Sequence, residues 1–487
     1  VHKKLFFIIL FFALLVRLFL FSGDGLGDDA NYFASYYRIY HDHRLIGWDY
    51  DYRVFFWLPI LFLWHLFGIT EYSWILYITL CSIGTVALTF LILREWYGET
   101  AGVIGAALMA VNPFDVAFST MFAVDIPMTF FMGLSLLLFI RARKKQYSAL
   151  LFSLSAIALF MGFSTKMLAF FMLPVFGTSM FLDHKNLRKY FSFWIVLTIL
   201  MASYLGVVYG LTGDFLAHFH AQQESGGYGL LNTYRLLDYP VQMFWKPQYD
   251  RFFHGFYFHL AGLCLILCLW HRKEALQPLI YLFVVFVLME FLPHKYENGH
   301  FYTVQRIYRY LSPLVLPCVL FVSFFWWKLL EKSRGLFTLL FMPFVLVSLY
   351  QAYDLSYVTR DAFSDPRDAA AFISTLPEKP VHSDWHMTSY IERFRHQYKK
   401  PFLIRPLLEV EDQKARAKAL HGIVSGYVVT GGARLPYYGC PHCINNIGNM
   451  DIPHHWVLLK EFDKPLNAWR EEPLRVWEVV GANSSAS

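Results

Sequence analysis

Apolar runs of about 18 or more residues with few charges recur over roughly the first 350 positions, and nothing else restricts the fold as tightly. A run of that length crosses a bilayer core as a helix, because only a helix or a closed barrel satisfies its backbone polar groups away from water. Composition agrees: 56% of the 487 residues are apolar and 16% are charged. An ordinary soluble domain carries roughly 25% charged residues, so disorder, a fibrous repeat and a simple soluble enzyme are excluded. The net charge is +6, but the basic residues cluster at the ends of apolar runs. They read as topology signals rather than a nucleic-acid face, so the partners expected are membrane lipids and no nucleic acid.

The first run, 5–22, follows His2, Lys3 and Lys4, contains Arg17 and lacks a small-x-small cleavage site. It reads as a retained anchor with a cytoplasmic amino terminus. Further runs are 74–93, 101–120, 126–140, 148–163, 168–182, 191–210, 256–270, 276–292, 307–327 and 336–349. The topology turns on 54–68. If it crosses, the basic clusters at 141–145, 183–189 and 271–273 face outward, against the positive-inside rule; if it lies along the outer surface, all three face inward. Its Trp57, Pro59, Trp64 and His65 suit a membrane boundary. The expectation is therefore a polytopic α-helical membrane protein of about 11 transmembrane helices, with 54–68 as an interfacial helix. Outer segments would be the loops 23–52 and 211–255, the connections 122–125 and 293–306, and the tail.

The tail changes character at about residue 354, where Asp365-Pro-Arg-Asp opens a helix and strand-like runs follow near 381 and at 423–430. The expected division is a transmembrane catalytic unit over 1–353 and an extracytoplasmic α/β domain over 354–487. Four cysteines fall within apolar spans and pack as small hydrophobes. Cys440 and Cys443 remain open between a disulfide or plain turn, a metal clip with His442 or His454, and a redox pair.

Candidate chemistry collects at the outer ends of the spans. Asp28 and Asp29 lie just beyond the first span, where acids either cap a helix or supply a general base and a ligand for a divalent ion such as Mg²⁺ or Mn²⁺. Asp125, in Asp-Ile-Pro127, either caps a helix or faces a cavity. Arg309 and Lys166 stand near the outer surface, as phosphate contacts or as cations reaching headgroups. Arg17 reads as a structural partner for Asp28 or Asp125. The aromatic residues Tyr32, Tyr36, Tyr37, Trp48, Tyr50 and Tyr52 suit either sugar stacking or a membrane boundary. His218, His220, His254 and His259 would join a metal site only if they converged, and helical spacing puts His218 and His220 on different faces.

Taken in order, the acidic pair after a span carrying Arg17, Asn112-Pro-Phe114, Asp125-x-Pro127, Gly162-Phe-Ser-Thr-Lys166 and Arg309-Tyr-Leu-Ser-Pro313 resemble the GT-C glycosyltransferases. Protein O-mannosyltransferases and lipid A aminoarabinose transferases are the most similar branch. The resemblance runs over 10–185 and returns at 300–320. It implies an inverting hexosyl- or pentosyltransferase in the plasma (inner) membrane, moving a sugar from a polyprenyl-phosphate-linked donor to a lipid, glycan or protein acceptor on the outer side. On that reading Asp28 matches the catalytic acid, Asp29 its acidic neighbour and Asp125 the second-loop carboxylate. The family's His-x-Pro-Pro or Pro-Pro-Leu stretch is replaced by Tyr52-Arg-Val-Phe-Phe56.

Rival classes are a secondary transporter or membrane receptor, and a polymerase or ligase using a pyrophosphate-linked glycan. A transporter usually shows internal repeats and ionisable groups at mid-span, whereas the ionisable residues here gather at span ends.

Overall fold

In the computed structural model the described residues are 2–23, 28–45, 49–225, 231–233, 238–244, 254–268, 272–291, 295–297, 300–304, 308–362, 364–383, 404–406, 420–430, 452–463, 465 and 473–479. The apolar runs of the sequence lie mainly in helix. Six helical stretches are long and apolar enough to cross a membrane: Glu71–Tyr97, Asp125–Lys144, His184–Thr212, Lys273–Phe291, Tyr310–Lys332 and Arg334–Ala362. Five shorter apolar helices accompany them: Val54–Phe67, Glu99–Ala110, Ala149–Thr165, Met167–Leu182 and Tyr257–Ile266. The protein is thus an integral membrane protein. The apolar window of Arg334–Ala362 is only 17% buried by protein, so this helix presents most of its Leu, Phe and Met surface outward, as a lipid-facing helix does.

Local chemistry sets the helix ends. Glu71–Tyr97 begins at a reciprocal capping box between Thr70 and Ser73 and stops at Gly98, whose φ of +97° an L side chain resists. The run 101–120, read as one span, is broken in two. Glu99–Ala110 has 12 residues, about 18 Å of helix and short of a bilayer core of about 30 Å. Asn112 then caps a new short helix, Pro113–Phe118, by accepting from the Asp115 N–H at 3.1 Å, with Pro113 at the first helical position.

That break creates a buried ionic junction. Arg17, at the end of the first helix (His2–Phe19), pairs with Asp115 at 2.5 Å and donates to Ser82 at 2.6 Å and to the Ala110 carbonyl at 3.1 Å. Ser82 donates to the same Asp115 carboxylate. Arg17 is therefore structural, but its partner is Asp115 rather than Asp28 or Asp125. Its fork of donors is spent on acceptors from three helices, which a buried guanidinium needs if its desolvation is to be offset.

Two sheets complete the fold. Leu231–Thr233 and Lys295–Glu297 flank the central strand His300–Val304 in an antiparallel sheet, so the 211–255 and 293–306 segments meet. Towards the carboxyl end, a five-stranded mixed sheet runs in the order Ile404–Pro406, Val381–Ser383, Gly426–Thr430, Leu474–Val479, Val457–Phe462. The helix Ser364–Thr375 buries Ala369, Ala370 and Ile373 against Val381, Tyr427, Leu474 and Val476 of that sheet. Arg367 of this helix reaches Glu71 at 2.7 Å, tying the sheet unit to the start of a membrane helix. Cys440 and Cys443 lie outside the described residues.

Candidate active site

Asp125 opens the helix Asp125–Lys144 and is fully buried. Its carboxylate accepts from Lys166 Nζ at 2.7 Å and from Ser312 Oγ at 2.6 Å, while the Lys166 ammonium lies 5.0 Å from the Tyr310 ring centre. Three segments far apart in sequence thus meet at one carboxylate. Local structure explains each. Lys166 ends the helix Ala149–Thr165 in an extended conformation that turns its side chain out of the helix. Gly162 lets this helix approach closely, since a Cβ there would lie 3.0 Å from the Ala169 Cβ and 3.3 Å from that of Phe131. Ser312 and Tyr310 belong to the 3₁₀ turn Tyr308–Leu314, which interrupts the apolar run before the helix Val315–Lys332.

A second polar cluster, built from the segment after the first helix together with His218, lies beside this one. Asp49 and Arg53 form an i,i+4 ion pair across the turn Asp49–Tyr52, and Arg53 Nη1 donates to the Tyr32 hydroxyl at 2.7 Å. His218 is buried with its Nε2 3.5 Å from Asp49, its Nδ1 2.5 Å from the Tyr204 hydroxyl and its ring stacked on Tyr52. Next to them, Asp51 accepts from Ser35 and from Arg38, the latter at 2.7 Å. Burial alone would raise the Asp49 pKa, but Arg53 and His218 outweigh it and hold the carboxyl well below its usual range. Burial pushes His218 the other way, below its ordinary value and against the pull of Asp49, so its imidazole stays neutral at neutral pH.

An aromatic layer joins the two clusters. Phe122, three residues before Asp125, packs against Tyr32, Tyr36 and Phe56 at centroid distances of 5.9, 5.8 and 5.5 Å. Phe163, three before Lys166, lies 6.1 Å from His218. Tyr32, Tyr36 and Tyr52 are buried among these side chains, an arrangement that leaves their rings little room to stack on a sugar.

Of the expected site residues, Asp125 and Lys166 are brought into direct contact. Asp28 and Asp29 open the helix Asp28–Asp42, and Arg309 lies in the Tyr308–Leu314 turn, but the side chains of all three lie outside the described residues. His220 is exposed and paired with Asp214 at 2.7 Å, away from the buried His218. Among the described residues no three His, Cys, Asp or Glu side chains converge as a metal-ligand group. Asp49, Arg53 and His218 were not singled out as a site from sequence. The Asp49-x-x-x-Arg53 spacing just before an apolar helix was the one available signal for the first two.

Comparison with known proteins places this arrangement. The dolichyl-phosphate-mannose-protein mannosyltransferase family profile matches residues 54–209. "Putative mannosyltransferase YkcB" of Bacillus subtilis (strain 168) is 36% identical over 113 residues, 23% of this chain. The match spans only 16% of that relative's length. ArnT from Cupriavidus metallidurans, in its apo state, aligns over 97% of both chains with a TM-score of 0.64 at 13% identity. The same protein bound to undecaprenyl phosphate aligns over 98% of both with a TM-score of 0.59. The Archaeoglobus fulgidus oligosaccharyltransferase in complex with Zn and sulfate aligns over 86% of this chain and 67% of its own, at 13% identity and a TM-score of 0.55. Over 54–209 the chain is thus similar in sequence to the dolichyl-phosphate-mannose-protein mannosyltransferases, and over nearly all of its length it shares the fold of ArnT.

Proposed function

We propose that the protein transfers a sugar from a polyprenyl-phosphate carrier to an acceptor at the extracytoplasmic face of the membrane, with inversion at the anomeric carbon. The observation behind this reading is the buried Asp125–Lys166–Ser312 junction. It joins three segments of the GT-C resemblance at one end of the helix bundle. ArnT, which shares the fold, has been seen with undecaprenyl phosphate, the product side of such a reaction. With Asp125 on the outer side, the basic ends of the same helices face the cytoplasm and the count approaches 11 crossings by the positive-inside rule. Residues 354–487 then form an outer domain that holds or selects the lipid, glycan or protein acceptor.

In this mechanism Asp28 takes the proton of an acceptor hydroxyl, whose oxygen attacks the anomeric carbon. The bond from that carbon to the carrier phosphate breaks, and the phosphate leaves with the electron pair. Arg309 and Lys166 meet its growing charge, which a fixed cation in a water-poor site stabilises far more than water does. Lys166 is held by Asp125, so that carboxylate sets the position of the ammonium and the departing phosphate competes with it. A Mg²⁺ or Mn²⁺ ion would have to be held by Asp28 and Asp29, since the described residues offer no ligand group.

Release of polyprenyl phosphate from a panel of polyprenyl-phosphate sugars by the purified protein tests the reading, with and without chelator. Wild type should release it and Asp28→Asn should lose the activity. Folded protein inert toward every donor, or an equally active Asp28→Asn, would overturn the assignment.

A further inference from the structure

At the end of the bundle remote from Asp125, a cavity of about 50 Å³ is lined by Trp96, Arg143, Ser179, Gln277 and Tyr281, with Val175 and other apolar side chains. Asp125 and Arg143 share one helix and are 18 positions apart, about 27 Å of rise, so the cavity sits near the opposite membrane face. It is large enough for a small polar group, and its lining is unevenly satisfied.

The neighbouring cations are engaged. Arg141 and Lys144 both pair with Glu95, at 3.1 and 3.2 Å. Arg143 differs: its nearest acid, Asp183, is 3.8 Å away, beyond hydrogen-bond range. Asp183 is itself supplied by the hydroxyls of Tyr147 and Tyr190, both at 2.6 Å, and by Asn186 at 2.8 Å. The Tyr281 hydroxyl is buried and has no hydrogen-bond partner among the described residues, a state a folded protein does not ordinarily tolerate. An unsatisfied phenol and a part-exposed guanidinium in a long ion pair with Asp183 therefore line one small cavity among membrane helices.

We infer that this cavity binds the phosphate of an anionic lipid headgroup. A phosphate oxygen accepts from both groups, Arg143 offering a charge-assisted contact and Tyr281 a neutral donor. The apolar lining and the flanking membrane helices suit the acyl chains, and basic pockets between membrane helices are a recurrent way of holding such headgroups. The site is separate from the transfer chemistry and does not require it.

The test is a thermal-shift titration of the full-length purified protein with short-chain phosphatidylglycerol, beside the matching diacylglycerol and inorganic phosphate. Wild type, Arg143→Gln, Tyr281→Phe and Lys145→Gln are compared, Lys145 being an exposed cation of the same helix end that does not line the cavity. Phosphatidylglycerol should raise the melting temperature saturably in wild type and Lys145→Gln, with about tenfold weaker affinity in the other two, as expected for loss of one hydrogen bond to a charged group. Tyr281→Phe removes only an unpartnered hydroxyl, so it reports on binding even if Arg143→Gln folds poorly. Equal titrations in all four proteins would overturn the inference. So would a shift from diacylglycerol as large as that from phosphatidylglycerol, and a comparable shift from inorganic phosphate would assign the cavity to a soluble anion instead.

Discussion

Breaking the Asp125–Lys166 pair separates what it does for the fold from what it does for the reaction. Both side chains are buried and 2.7 Å apart, with Ser312 on the same carboxylate oxygen. Lys166→Met keeps most of the stem but takes this cation from a buried carboxylate; Asp125→Asn takes this negative charge from the ammonium. Removing one partner of a buried pair costs about 3–5 kcal/mol, most of it the desolvation of the charge left behind. The double variant has no stranded charge, and its new side-chain amide still offers an oxygen to Ser312, so its loss should be about 1 kcal/mol, the scale of one ordinary hydrogen bond. The two single losses together would therefore exceed the double loss by about 5–9 kcal/mol, against the few tenths expected for independent sites. Unfolding of the four proteins in one detergent measures this cycle, and release of polyprenyl phosphate is followed in parallel. If Lys166 meets the leaving phosphate, the double variant recovers stability but transfers at least about 100-fold more slowly. Additive stability losses would refute the buried-pair argument, and recovered turnover in the double variant would refute the role of Lys166 in the reaction.

Other perturbations test the surroundings. His218 has a lowered pKa, so its contribution to stability is complete above the unfolded value of about 6.5 and is lost as pH falls from there towards the folded value. His218→Gln should flatten stability against pH between about 7 and 5, which a melting series reads directly. Gly23 has a φ of +73°, and a Cβ there would lie 1.8 Å from Arg367 Nη2. Gly23→Ala should cost about 1–3 kcal/mol from left-handed strain and displacement of Arg367 from Glu71, and adding Arg367→Ala should cost little more. Arg17→Met should destabilise by about 3–5 kcal/mol, and Asp115→Asn in the same chain should restore much of that in the same melting assay.

The helices were legible because a bilayer writes its thickness into every crossing segment, and a run such as 126–140 needs no tertiary knowledge to be seen. The break at Asn112-Pro113 was visible as a turn signal, yet the surrounding hydrophobicity hid its effect on the span. Asp125 and Lys166 stood out because each is a lone charge among uncharged neighbours. That they touch was not legible, since 41 residues separate them and the turn after Gly162 sets the geometry. Asp49 and Arg53, and the pairing of His218 with them, escaped for a related reason. In an outer loop, acids, bases and histidines are ordinary solvated residues until the packing of Tyr32, Tyr52 and Phe163 removes the water around them. Arg17 was recognised as structural, but its acid was sought among the outer-loop residues, whereas Asp115 sat within what read as an uninterrupted span.

The Arg17–Asp115 junction also sets an order of events during synthesis. The two residues are 98 positions apart, so at about 5–20 residues per second the first helix is made roughly 5–20 s before its counter-charge. An arginine near the end of a lone apolar helix opposes its insertion, though by less than the about 2.5–3.5 kcal/mol of one at mid-span. The newborn helix is thus made before the partner that settles its depth. It becomes a stable part of the bundle only when the helix broken at Asn112 delivers Asp115, which makes a small discontinuity in a later span the step that completes an earlier one.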